Sequence, residues 1–138
     1  MKQHTTNYIN TFIEVAEDCP ALQAEVPPQK GDKLSVANIQ YNMLHKHPYK
    51  YTSDEVIFQG YALKNELTKE EWNDAREQFF SKGQACLRTS PLAKRYGFGI
   101  HHNEAGKVAI YGRETKEYQQ FSADKNIQKV KAMRSKKA

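Results

Sequence analysis

The chain has 138 residues, 21 Lys and Arg against 16 Asp and Glu, two cysteines and a net charge of +5. That length suits one domain with one real core. No apolar run approaches the roughly 18 residues a membrane span needs, and MKQHTTNYIN has no apolar signal-peptide core. Two cysteines make no disulfide framework, so a reducing cytoplasm is the expected setting.

The charge is uneven. Residues 125–138 carry Lys125, Lys129, Lys131, Arg134, Lys136 and Lys137 and no acid, whereas 1–81 carry 8 basic and 12 acidic side chains. Between them, 82–116 hold 7 basic and 2 acidic groups. The expected layout is a disordered leader over 1–6, a single domain over 7–124 and a basic tail over 125–138.

In chain order, Tyr8 to Val15 is β-branched and aromatic and reads as a central strand. Ala16 to Leu34 carries Pro20, Pro27, Pro28 and Gly31, which makes it a functional loop or the cover of a short helical turn. Ser35 caps a helix with Val36, Ile39, Met43 and Leu44 on its inner face. Thr52 to Glu55 fits a capping box, with Val56, Ile57, Gly60, Tyr61 and Lys64 at helical spacing; a strand is the rival there. Thr68 to Glu71 is a second box, leading into Trp72, Ala75, Phe79 and Phe80 and ending at Gly83.

Ala85 to Arg88 reads as a short strand. Ser90-Pro91 opens a brief helix closed by Gly97. Phe98 to His102 and Lys107 to Gly112 form a hairpin across Asn103 to Gly106, and Thr115 to Phe121 starts another helix. Ile127, Val130 and Met133 make a thin apolar stripe along the tail. The order implies an α+β fold, a small antiparallel sheet with helices packed on one face.

Four features bear on chemistry. A helix start with free N–H groups, a capping hydroxyl and nearby cations is a recipe for an anion, which marks Arg88, Ser90, Lys94 and Arg95, with His101 and His102 from the hairpin. The competing reading is an ordinary capped helix. The tail lysines and arginine, Lys129, Lys131, Arg134, Lys136 and Lys137, suit a polyanion through counterion release, or merely aid solubility.

Third, His45 to Tyr51 alternates cations and rings, so Lys46, Tyr49, Lys50 and Tyr51 suit single-stranded nucleic acid or simply cover the core. Fourth, Cys86 lies in a cationic stretch upstream of His101 and His102; adjacent strand residues face opposite sides, so at most one histidine reaches any one site. Without C-x-x-C or H-E-x-x-H, no metal is expected, and no cofactor either.

Long blocks of the chain resemble a family of small bacterial single-domain proteins known only as a domain of unknown function. They are NYINTFIEVAEDCP, HPYKYTSDEVIF, FFSKGQACLRTSPLAKRYGFGIHHNEAGKVAIY and IQKVKAMRSK. The resemblance implies a free-standing bacterial protein in which the basic ending is an integral part. It brings no activity or catalytic residue.

The leading expectation is a cytoplasmic polyanion-binding module, nucleic acid first. Enzymes rank below binding modules. The alternatives are a small enzyme or phosphate-ligand protein at the Ser90 helix start and the 98–112 hairpin, and an interaction or oligomerisation module using the tail stripe. No membrane partner is expected, and the oligomeric state stays open.

Overall fold

The computed structural model describes residues 3–135. The strand expected near the start forms over Thr11–Glu14 (β1), and its Thr11, Phe12 and Ile13 are buried. Phe98–His102 (β2) and Val108–Gly112 (β3) form the expected antiparallel hairpin. Asn103 closes its turn, with Oδ1 accepting the N–H groups of Ala105 and Lys107, and Gly106 takes φ +77°.

The fourth strand, Gln128–Lys131 (β4), lies parallel to β1, giving the order β3-β2-β1-β4. The basic tail is therefore no appendage over these residues. Val130 packs on the core and Ala132 is buried, while Met133 is exposed. The three-residue stripe is replaced by strand alternation, because main-chain pairing with β1 sets which side chains turn inward.

Among the described residues, five helices flank the sheet: Val36–Lys46 (α1), Ser53–Lys64 (α2), Trp72–Phe79 (α3), Pro91–Lys94 (α4) and Lys116–Ala123 (α5). Local capping sets their starts. The side chains of Ser35, Thr52, Ser90 and Thr115 each accept a first-turn N–H, and Asn38 and Glu55 return the bond to close two capping boxes. The box at Thr68 and Glu71 opens a 3-10 turn that continues into α3.

Two local expectations are corrected, and the alternative left open at 16–34 is decided for a loop. α3 ends at Phe79, with Phe80 as its cap, well before Gly83. The strand expected at Ala85 to Arg88 is instead a 3-10 turn over Leu87–Thr89. The segment 16–34 has no helix; it is tied down by Arg113 Nη1 donating to the Ala21 carbonyl and by Ala24 N–H donating to Glu114 Oε1.

The leader is also ordered over its described part. Thr6 is buried, and the Asp54 carboxylate accepts the Thr6 N–H, the Thr6 hydroxyl and the Thr5 hydroxyl, each at 2.7 Å. A buried carboxylate needs such donors, and the threonines supply them to the first turn of α2.

The fold is α+β with helices on both faces of the sheet. Ile13, Ile100 and Val108 point to one face, where Leu44 of α1, Val56 of α2, and Leu92 and Ala93 of α4 complete the main core. Phe12 and His101 point to the other face, which α5 covers with Tyr118 and Phe121. A smaller cluster of Phe58, Ala62 and Phe80 joins α2 to α3. Among the described residues, no helix is long and apolar enough to cross a membrane.

Candidate functional site

The cationic stretch after residue 82 and the basic chain end meet. Arg88 Nε donates to the Lys131 carbonyl at 2.7 Å, and the Met133 N–H donates to the Arg88 carbonyl at 2.8 Å. These bonds fasten the 3-10 turn to the end of β4. Arg88, Lys131 and Arg134 then line one surface cavity of about 520 Å³. Lys94, Arg95 and Ser135 line an adjoining one of about 190 Å³; Ser135 borders both.

Two acids temper this edge. Glu17 sits 3.5 Å from the Lys131 ammonium, and the Asp18 carboxylate accepts the Ser135 N–H. Five cations still share the edge, and the Lys131–Glu17 pair is exposed, so its attraction is small and screened by salt. Three of the expected anion-site residues, Arg88, Lys94 and Arg95, thus join two expected tail residues, Lys131 and Arg134. Lys136 and Lys137 lie outside the described residues.

The other expected site residues do not converge here. α4 has only four residues, and Ser90, 3% exposed, has a spent hydroxyl: it donates to Gln40 Oε1 at 2.6 Å and accepts the Leu92 N–H. The helix start is a capped end, as the competing reading has it. Lys129 bonds the Asp124 carbonyl over α5. Lys46 is exposed at the end of α1, away from these groups.

Tyr49 and Tyr51 do not form a stacking platform. The chain turns there instead of extending: Tyr49 has φ +62°, and its N–H is held by the Val108 carbonyl at 2.9 Å. Left-handed backbone is unusual for a bulky residue. It aims the Tyr49 hydroxyl at His101 Nδ1 and at the Tyr111 hydroxyl, 2.8 Å from each. Tyr51 packs on the core with its ring edge-on to His47, while the Lys50 ammonium lies 5.3 Å from its ring centre.

His101 and His102 lie on opposite faces, as strand alternation requires. His101 stacks on Phe121 with ring centres 4.0 Å apart. Burial lowers its pKa, while the Asp124 charge pulls the other way. Burial, with the Tyr111 hydroxyl, pushes the Tyr49 phenol well above its ordinary value.

His102 is fully buried against the edge of Tyr8, and neither ring nitrogen has a hydrogen-bond partner. Burial pushes its pKa down to about 4. The backbone of Thr11 and Ile100 pulls the other way, at a geometry that falls short of a hydrogen bond. Tyr8 stands between this ring and Cys86, its hydroxyl 3.3 Å from the thiol sulfur. Cys86 thus has a tyrosine neighbour where a catalytic pair would need a histidine base.

Sequence reasoning missed Tyr111, Phe121 and Gln40 as partners of the candidate groups. The alternation of β3 places Tyr111 on the His101 face, but nothing local announces the contacts of Gln40 or Phe121. Among the described residues, no three His, Cys, Asp or Glu side chains are grouped to hold a metal ion.

The model of a family of unknown function, DUF6157, matches residues 3–138, and the chain belongs to that family. No curated protein and no solved structure matches the chain.

Proposed function

We propose that this member of the DUF6157 family binds nucleic acid through the phosphate backbone, at the edge where β4 meets the segment 87–95. The observation that carries the reading is the bond from Arg88 to the Lys131 carbonyl, which gathers Arg88, Lys94, Arg95, Lys131 and Arg134 beside two adjoining cavities. The tyrosines of the 45–51 segment are occupied elsewhere, so among the described residues they supply no ring platform beside these charges. Binding is therefore electrostatic and indifferent to sequence. The free cysteines Cys19 and Cys86 fit a reducing compartment, and we place the protein in the bacterial cytoplasm.

The test is fluorescence anisotropy with labelled single- and double-stranded DNA and RNA at about 50 and about 200 mM salt. Up to five phosphate contacts give a log–log salt slope of roughly −4 on duplex, similar for unrelated sequences. The charge reversals Arg95→Glu and Arg134→Glu, combined, flatten the slope without unfolding the protein, because both side chains are exposed. Absence of binding at low salt sinks the proposal. So does a slope unchanged by the reversals.

A further inference from the structure

We propose that the cleft between α1, α2 and the segment 84–91 is a binding site for a small organic carboxylate with an apolar body, distinct from the cationic edge although it shares Thr89 and Pro91 with the smaller cavity there. The cleft measures about 330 Å³, within the range of small-molecule sites. Val36, Ile57, Phe79, Leu87 and Pro91 give it apolar walls. Tyr61, 41% exposed, lies over one side with its ring 4.7 Å from that of Phe79.

The polar end is built around Gln40, only 5% exposed. Its Oε1 accepts the Ser90 hydroxyl, and Ser90 itself receives the Leu92 N–H. The Gln40 Nε2 is left with no hydrogen-bond partner among the described residues, although Gln40 lines the cleft. A ligand's acceptor oxygen can meet this donor in place of water.

Charge decides the ligand class. Among the described residues, Lys64 is the one charged side chain lining the cleft, and no Asp or Glu lines it. One cation and an amide donor suit a monoanion, and the walls suit a hydrocarbon body. A phosphate would need more cations and less apolar surface. An amine would meet the like charge of Lys64.

The experiment titrates 15N-labelled protein with 3-phenylpropionate and, in parallel, with the neutral 3-phenylpropionamide. Two signals are followed: the side-chain amide resonance of Gln40, and the rate of Cys86 alkylation by iodoacetamide in a Cys19→Ser background. Cys86 lines the same cleft. The acid is expected to shift the Gln40 resonance and slow Cys86 alkylation with a dissociation constant on the order of 1 mM. The neutral amide should bind on the order of tenfold less tightly.

Lys64 is exposed, so Lys64→Glu folds normally by circular dichroism and should weaken the acid on the order of tenfold. Arg134→Glu, at the cationic edge, should leave acid binding unchanged while it weakens nucleic acid. An unmoved Gln40 resonance with unchanged alkylation at about ten times that concentration overturns the proposal. Equal binding of acid and amide overturns its choice of a carboxylate, as does unaltered binding to Lys64→Glu.

Discussion

The two faces of the sheet hold the same residue type in opposite ways. On the face toward α1, α2 and α4, His102 is fully buried against the edge of Tyr8, and neither ring nitrogen has a hydrogen-bond partner. On the face toward α5, His101 is half-buried, stacked on Phe121 and within hydrogen-bond reach of Tyr49. The two histidines are chain neighbours, so the difference owes nothing to local composition. It comes from the pleat, which sends one ring into a core closed by three helices and the other under a single eight-residue helix. An unpartnered imidazole in the tighter core makes that face the more sensitive to protons, whereas aromatic contacts make the α5 face the more sensitive to shape.

The largest expected effect breaks the comparison through pH. The unfolded His102 ring titrates near 6.5 and the folded one at about 4, so between those values the unfolded chain binds the extra proton. Stability therefore falls as pH drops from about 6.5 to about 4, by roughly 3 kcal/mol, and the loss levels off below that. Urea midpoints near pH 7 and near pH 4.5 measure it. His102→Leu should flatten most of the slope, leaving a smaller part from His101, whose pKa is also lowered. A slope that survives His102→Leu intact would show that the sealed face is not the acid-sensitive one.

Next in size is a methyl group added to the α5 face. Gly99 has no side chain because Phe12 and Tyr118 occupy the space: a Cβ there would meet the tip of the Phe12 ring and stand 2.6 Å from Tyr118 Cε2. Gly99→Ala should cost about 2–3 kcal/mol by overpacking. Thermal melts at neutral pH measure the loss. A neutral result would mean that α5 rides on the sheet loosely enough to shift.

The smallest effect probes the polar fringe of the same face. Tyr49→Phe removes the hydroxyl that meets both His101 and Tyr111. Because these groups are only half-buried, water replaces part of the contact, and the expected cost is about 1 kcal/mol. The left-handed backbone at Tyr49 is unchanged by the substitution, so the measured loss isolates the hydroxyl. No loss in urea denaturation would make the Tyr49–His101 contact incidental.

Legibility in the sequence follows the range of the bonds. The caps at Ser35, Thr52, Ser90 and Thr115 act within three residues, and each helix starts beside its cap. The hairpin turn is equally local, closed by Asn103 and Gly106. The close of α3 misleads because tertiary packing of Phe80 ends the helix before Gly83 can. β4 is harder still: QKVK offers one inward apolar residue, and its partner strand lies over a hundred residues away. The leader reads as polar and free, yet Thr5 and Thr6 bond Asp54 across 48 or 49 residues.

The candidate site divides along the same line. The cationic character of 82–116 and of the chain end is plain in the sequence, as a list of charges. The convergence of those two stretches is not, because it depends on β4 pairing parallel to β1 and presenting its last carbonyl to Arg88. Gln40 reads as one more polar residue of a helix; only the approach of Ser90 makes it a buried, hydrogen-bonded amide.

The sequence by itself determined the α+β class, the helix starts, the hairpin and the uneven charge of +5, since each rests on composition or on groups a few residues apart. Tertiary structure alone decided that the chain end is a sheet strand, that α5 closes a second face, and that Arg88 meets Lys131. Those outcomes depend on which distant segments bury apolar surface against one another and satisfy each other's main-chain bonds, and neither spacing nor composition encodes that pairing.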